Sequence, residues 1–160
     1  MKLSGGVEWG LHCCLSLSQA RAPVPAARLA ELHGVSPTYL AKHLQALARA
    51  GLVRSTQGKD GGYALTRDAA EISLLDVVRA IDGEAPAFRC TEIRQRGPLA
   101  APPSACVRPC AIARAMLAAE DAWRTALADV SIADLAQDVQ GDTAGAAMPR
   151  LRAWLGGATA

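Results

Sequence analysis

No stretch of this chain approaches the ~18 consecutive apolar residues needed to span a bilayer, so no membrane partner is expected. The N-terminal segment is apolar in part, but Glu8 and His12 interrupt it, which argues against a secretory signal. Aromatic side chains are few: Phe88, Tyr39, Tyr63 and three tryptophans in 160 residues. That scarcity, beside abundant alanine, weighs against a β-sandwich and favours helices. Charge of one sign is not in excess, with 17 Lys+Arg against 15 Asp+Glu and a net charge of +2. Any affinity for nucleic acid must therefore come from local clusters of cations. No nucleophile–base constellation and no G-x-x-x-x-G-K-[ST] phosphate loop can be read, so no catalysis is assigned. Five cysteines without a paired framework point to free or metal-bound thiols in a cytoplasmic chain.

What is present reads first as a device for binding DNA. Val7, Leu11, Cys14 and Leu15 recur at helical spacing, with Ser4 available as a cap. After the break Ala22-Pro23-Val24-Pro25 a short helix, Ala26 to Leu32, ends at Gly34. Ser36 and Pro37 open a third helix that stops at Gly51 and buries Leu40, Leu44 and Leu47. A helix pair joined by a tight glycine turn is the helix-turn-helix pattern, and a plain αα-hairpin is the bland alternative. Ser36, Thr38, Tyr39, Lys42 and His43 are the expected phosphate and base contacts. Leu52–Thr56 and Tyr63–Thr66 read as a hairpin around Gln57-Gly58-Lys59-Asp60-Gly61-Gly62, whose Arg54, Gln57 and Lys59 suit a DNA-contacting wing. Glu71 to Gly83 gives a further amphipathic helix.

Three runs carry a resemblance: Val35-Ser36-Pro37-Thr38-Tyr39-Leu40, Ala50-Gly51-Leu52-Val53-x-Ser55, and Gly58-x-x-Gly61-Gly62-Tyr63-x-Leu65. With Ile72-Ser73-Leu74-Leu75-Asp76-Val77-Val78 they resemble the winged-helix repressor family that contains IscR and NsrR, over residues 1 to about 130. The resemblance implies a homodimeric transcription regulator bound to double-stranded promoter DNA, acting as a repressor. It also implies an iron–sulfur cluster and redox sensing.

Cys90, Cys106 and Cys110 lie in a Pro/Gly-broken stretch, spaced C-x15-C-x3-C, whereas the family pattern is nearer three cysteines about five residues apart. A cluster needs four protein ligands, and Glu8 and His12, four residues apart, share one helix face. In the family a carboxylate near the start of this helix can ligate from the second subunit. The expected ligands of a [2Fe–2S] cluster are therefore Cys90 and Cys110 from one chain with Glu8 and His12 from the other, Cys106 in reserve. Zinc takes the same donors and would make the site a structural clip; an electron carrier that does not bind DNA is the other alternative. Trp9, between the proposed ligands, is a candidate redox relay, against the commoner role of core filling. Cys13 and Cys14 read as small buried hydrophobes.

Ile112, Met116, Ala119, Trp123 and Leu127 trace one stripe of a long helix from Ala111, which asks for a two-fold mate. Ser131 opens a short helix, and beyond Gly141 the composition weakens towards a linker. The expected fold is mainly α with a small β-hairpin wing, a winged helix-turn-helix plus a dimerisation helix. Its expected parts are residues 1–84 (DNA binding), 85–110 (cluster loop), 111–141 (dimerisation helix and short helix) and 142–160 (C-terminal tail).

Overall fold

The computed structural model describes residues 3–58 and 60–157. Seven helices and a two-stranded antiparallel hairpin are found among them: α1 (Gly5–Ser18), α2 (Ala26–His33), α3 (Pro37–Arg49), β1 (Val53–Thr56), β2 (Gly62–Leu65), α4 (Leu74–Asp82), α5 (Ala111–Ala128), α6 (Ile132–Asp142) and α7 (Ala147–Gly156). The mainly helical winged-helix expectation holds. The chain divides into two compact units, residues 84–126 and the remainder, described separately below.

The larger unit is built on local signals that agree with one another. Gly34 closes α2 in the left-handed conformation, φ +65. The Ser36 hydroxyl accepts the Tyr39 amide at 3.1 Å, with Pro37 at the first helical position. Leu40, Leu44 and Leu47 of α3 are fully buried and join Cys13, Cys14, Leu29, Val53 and Ile72 in one core. In the wing, Val53 pairs with Leu65 and Thr56 with Gly62.

Three local details differ from the sequence reading. Ser4 stands at the N-cap of α1, yet its hydroxyl and amide bind the Asp82 carboxylate instead of the α1 backbone. Helix α4 begins at Leu74, not Glu71, because Ser73 and Asp76 form a reciprocal capping box there; Ala69–Glu71 is a separate 3₁₀ turn. The stretch beyond Gly141, weak by composition, carries α7. Arg28 Nη2 donates to the Trp154 carbonyl at 3.0 Å, and its guanidinium stacks 3.5 Å over the Trp154 ring.

The smaller unit has little apolar interior: Ala113 is its one buried residue among those described. Polar ties organise its loop. Arg94 pairs with Glu92 and donates to the Arg108 carbonyl at 2.9 Å, and its own carbonyl accepts the Ala101 amide at 2.8 Å. Glu120 accepts the Ala87 amide and holds Arg124, which reaches the Glu84 carbonyl.

Candidate functional site

Glycines decide which face of α1 is free. A Cβ at Gly6 would lie 2.7 Å from the His43 ring, and one at Gly10 would lie 3.0 Å from Val77 of α4. This face presses on its neighbours; Glu8 and His12 stand exposed on another, one helical turn apart. Cys13 and Cys14 point into the core, where burial pushes both thiols up to about 12. They are thus poor ligands, in line with the reading of them as small hydrophobes.

Trp9 begins a run of rings from α1 to α3. It meets Tyr39 edge-on with centroids 6.0 Å apart and His33 at 6.1 Å, and His33 lies 5.7 Å from His12. Lys42 Nζ sits 4.3 Å over the Tyr39 ring. His43 corrects the sequence reading. Expected on the exposed face, it is only 7% accessible, wedged against Gly6 and edge-on to Tyr39, because the glycine leaves a ring-sized space. Burial first, then the Lys42 ammonium, hold its imidazole below the ordinary value. A ring so placed supports the α1–α3 junction and is unsuited to a base edge.

The remaining reading residues lie outward. Ser36, Thr38, Tyr39 and Lys42 are exposed along the first half of α3. Gln45 and Arg49 continue the same face at helical spacing; they were not among the expected contacts, although the stripe 38-42-45-49 marks them in the sequence. Arg54 and Gln57 are exposed on the hairpin, and Lys59 lies outside the described residues.

In the smaller unit the cysteines approach one another. The Ala113 amide donates to Cys110 Sγ at 3.3 Å; with the Ile112 amide, a hydrogen bond from Cys90 and the Arg94 guanidinium, it holds the Cys110 thiol below the usual range. The Glu92 amide donates to Cys90 Sγ at 3.4 Å. The Glu92 carboxylate first, with smaller contributions from Cys106 and Cys110, holds the Arg94 guanidinium above its ordinary range. Cys90 is exposed and Cys106 and Cys110 are half-buried, all as free thiols. Among the described residues no group of three or more His, Cys, Asp or Glu gathers closely enough to hold a metal. The donor chemistry therefore fits an iron–sulfur group in part: two neighbouring sulfurs with amide donors, and further ligands required from elsewhere.

Comparison with known proteins agrees with this architecture. A family model described as "Rrf2: Iron-dependent Transcriptional regulator" matches residues 3–138. The chain is similar to the HTH-type transcriptional regulator YffB of Lactococcus lactis, 35% identical over 144 residues, which cover 88% of this chain and 90% of that one. It is 40% identical over 76 residues to the HTH-type transcriptional regulator IscR of Photorhabdus laumondii, about half of either chain (48% and 46%). Among solved structures, CymR, the global cysteine regulator of B. subtilis, superposes with a TM-score of 0.66 at 24% identity, covering 86% of this chain and 97% of that one. T. potens IscR gives a TM-score of 0.65 at 23% identity, with 89% and 90% covered. At these identities the two superpositions speak for the fold. The chain belongs to the Rrf2 family of DNA-binding transcriptional regulators and is not an enzyme.

Proposed function

We propose that the protein is a homodimeric, cytoplasmic repressor whose grip on promoter DNA follows the redox state of a [2Fe–2S] cluster. Cys90 and Cys110 of one chain hold the cluster, with Glu8 and His12 of the partner subunit, and Cys106 stands in reserve. The observation that carries this reading is that Cys90 Sγ and Cys110 Sγ, in the same small unit, each take a backbone amide hydrogen bond. It is supported by the exposed Glu8–His12 pair on a helix locked by its other face. When bound, such a cluster supplies a one-electron couple, raised in potential where imidazole and carboxylate replace thiolate.

The chain's own residues do the rest. Trp9 packs edge-on to Tyr39, and Tyr39 lies under the Lys42 ammonium, so a change of charge beside Glu8 and His12 that turns Trp9 shifts two exposed residues of α3. Ser36, Thr38, Tyr39 and Lys42 reach phosphates and base edges, Arg54, Gln57 and Lys59 of the wing grip the backbone, and two α3 helices enter major grooves roughly 34 Å apart. The exposed apolar stripe of α5, including Ile112 and Met116, forms the mate-facing surface.

The test is anaerobic purification with iron, sulfide and zinc assays, and retardation of an operator selected from random duplexes. Coloured protein with equal iron and sulfide is expected, lost in Cys90→Ala, Cys110→Ala and His12→Ala but kept in Cys106→Ala. Operator retardation should change on reduction, and Trp9→Ala should keep the colour while losing that change. Colourless protein holding its operator equally under oxidant and reductant would refute the proposal; stoichiometric zinc in its place would establish a structural clip.

A further inference from the structure

A cleft of about 840 Å³ opens between the α1–α2 loop, α2, the wing turn and α7. Its size falls within the roughly 300–1,000 Å³ of small-molecule sites. The walls are mostly apolar, with Pro23, Val24, Pro25 and Leu155 among them. Three arginines give it direction. Arg28 is held in place by stacking on Trp154 and by donation from Nη1 to Glu31 at 2.8 Å; its Nε is buried without an acceptor. Arg21 and Arg152 line the same cleft and have no carboxylate partner among the described residues; Arg152 donates to the neutral Gln19 amide oxygen at 2.7 Å. Glu31, paired with Arg28, and Asp60 of the wing turn line the cleft as well, so three arginines against two carboxylates leave it one net positive charge; with its apolar walls this matches a molecule that has an apolar body and an anionic head.

We propose that this cleft binds a small organic carboxylate, and that the wing responds to its occupancy. The α1–α2 loop that forms one wall is joined to the hairpin by two hydrogen bonds, Val24 amide to Tyr63 carbonyl and Tyr63 amide to Val24 carbonyl, both 2.8 Å. Gly62 fits this junction so tightly that a Cβ there would lie 2.4 Å from the Val24 carbonyl carbon. Gly61, next to it, itself lines the cleft. A ligand that displaces the loop therefore displaces β2, and with it the element that grips the DNA backbone. The proposal does not rest on the iron–sulfur reading, since every residue in it lies in the larger unit.

The test uses the full chain with 4-phenylbutyrate, its amide, and inorganic phosphate as probes, by calorimetric titration and operator retardation. The carboxylate should saturate, the amide should bind about tenfold more weakly or worse, and Arg21→Gln with Arg152→Gln should remove that preference. Operator affinity should shift about threefold or more at saturation. The ligand site is overturned if no probe binds at about 10 mM, if acid and amide bind alike, if the double variant binds as wild type, or if phosphate alone binds equally well. Saturation without any change in retardation overturns the link to the wing. A double variant that loses operator affinity with a flatter salt dependence, while phenylbutyrate binds to neither form, assigns the arginines to DNA phosphates instead.

Discussion

The larger unit and residues 84–126 solve the problem of staying folded in different ways. The former buries leucines from three helices against the hairpin, with caps at Ser36, Ser73 and Ser131 that fix where helices begin. The latter leaves Leu99 94%, Val107 83% and Ile112 66% exposed and relies on Arg94, Glu120 and Arg124 to tie loop to helix. Ion pairs near a surface contribute little, so residues 84–126 are held by much less than the larger unit. The DNA-binding platform stands on its own core, and under the proposed function the segment that responds to a signal is the weakly held part of the chain.

Substitutions can break this contrast, and the largest effect belongs to the core. Leu44→Ala should cost about 2–5 kcal/mol and lower Tm accordingly in a denaturation series. Ile112→Asp with Met116→Asp should convert the proposed dimer to monomer in sedimentation velocity and lower Tm by less than Leu44→Ala does; a persisting dimer would move the interface away from α5. Ser73→Ala removes one half of the α4 capping box and should cost about 1 kcal/mol in urea unfolding. Alkaline titration should reach the core thiols next. Cys13 and Cys14 are raised from 9.0 to about 12, so the unfolded chain loses those protons first and stability should decline as pH climbs from 9 towards 12. Iodoacetamide at pH 8 should accordingly modify Cys90, Cys106 and Cys110 in the native protein and spare the buried pair. Leu99→Ala should change stability by no more than about 0.5 kcal/mol; a larger loss would show that something packs on it.

Much of the reading unit was legible because each boundary has a local cause. Gly34 needs a left-handed turn, Ser36-Pro37 starts a helix, and Leu40, Leu44 and Leu47 share one stripe. His43 was misread because periodicity placed it between faces and could not register the space left by Gly6 on a helix thirty-seven residues earlier. The α4 start slipped by three residues because the apolar pattern begins before the capping box that sets the true boundary. Helix α7 escaped because its anchors are long-range contacts with no periodic signature: Arg28 stacks on Trp154 and donates to its carbonyl, and Arg152 donates to Gln19. In the candidate site, Cys90, Cys110, Glu8 and His12 were legible as residue types and helix spacing. Their environments were not, because the amides of Glu92 and Ala113 reach the sulfurs through loop geometry that no spacing encodes.

The order of side chains alone determined a helix pair with a winged hairpin, a thiol-bearing loop and a helix with an apolar stripe, since turn chemistry and apolar period act over a few residues. Only the tertiary structure decided which ring of α3 turns inward, which face of α1 stays open, and that a cleft lined by three arginines is joined to the wing. Those outcomes depend on excluded volume and charge between residues far apart in the chain, which local pattern does not constrain.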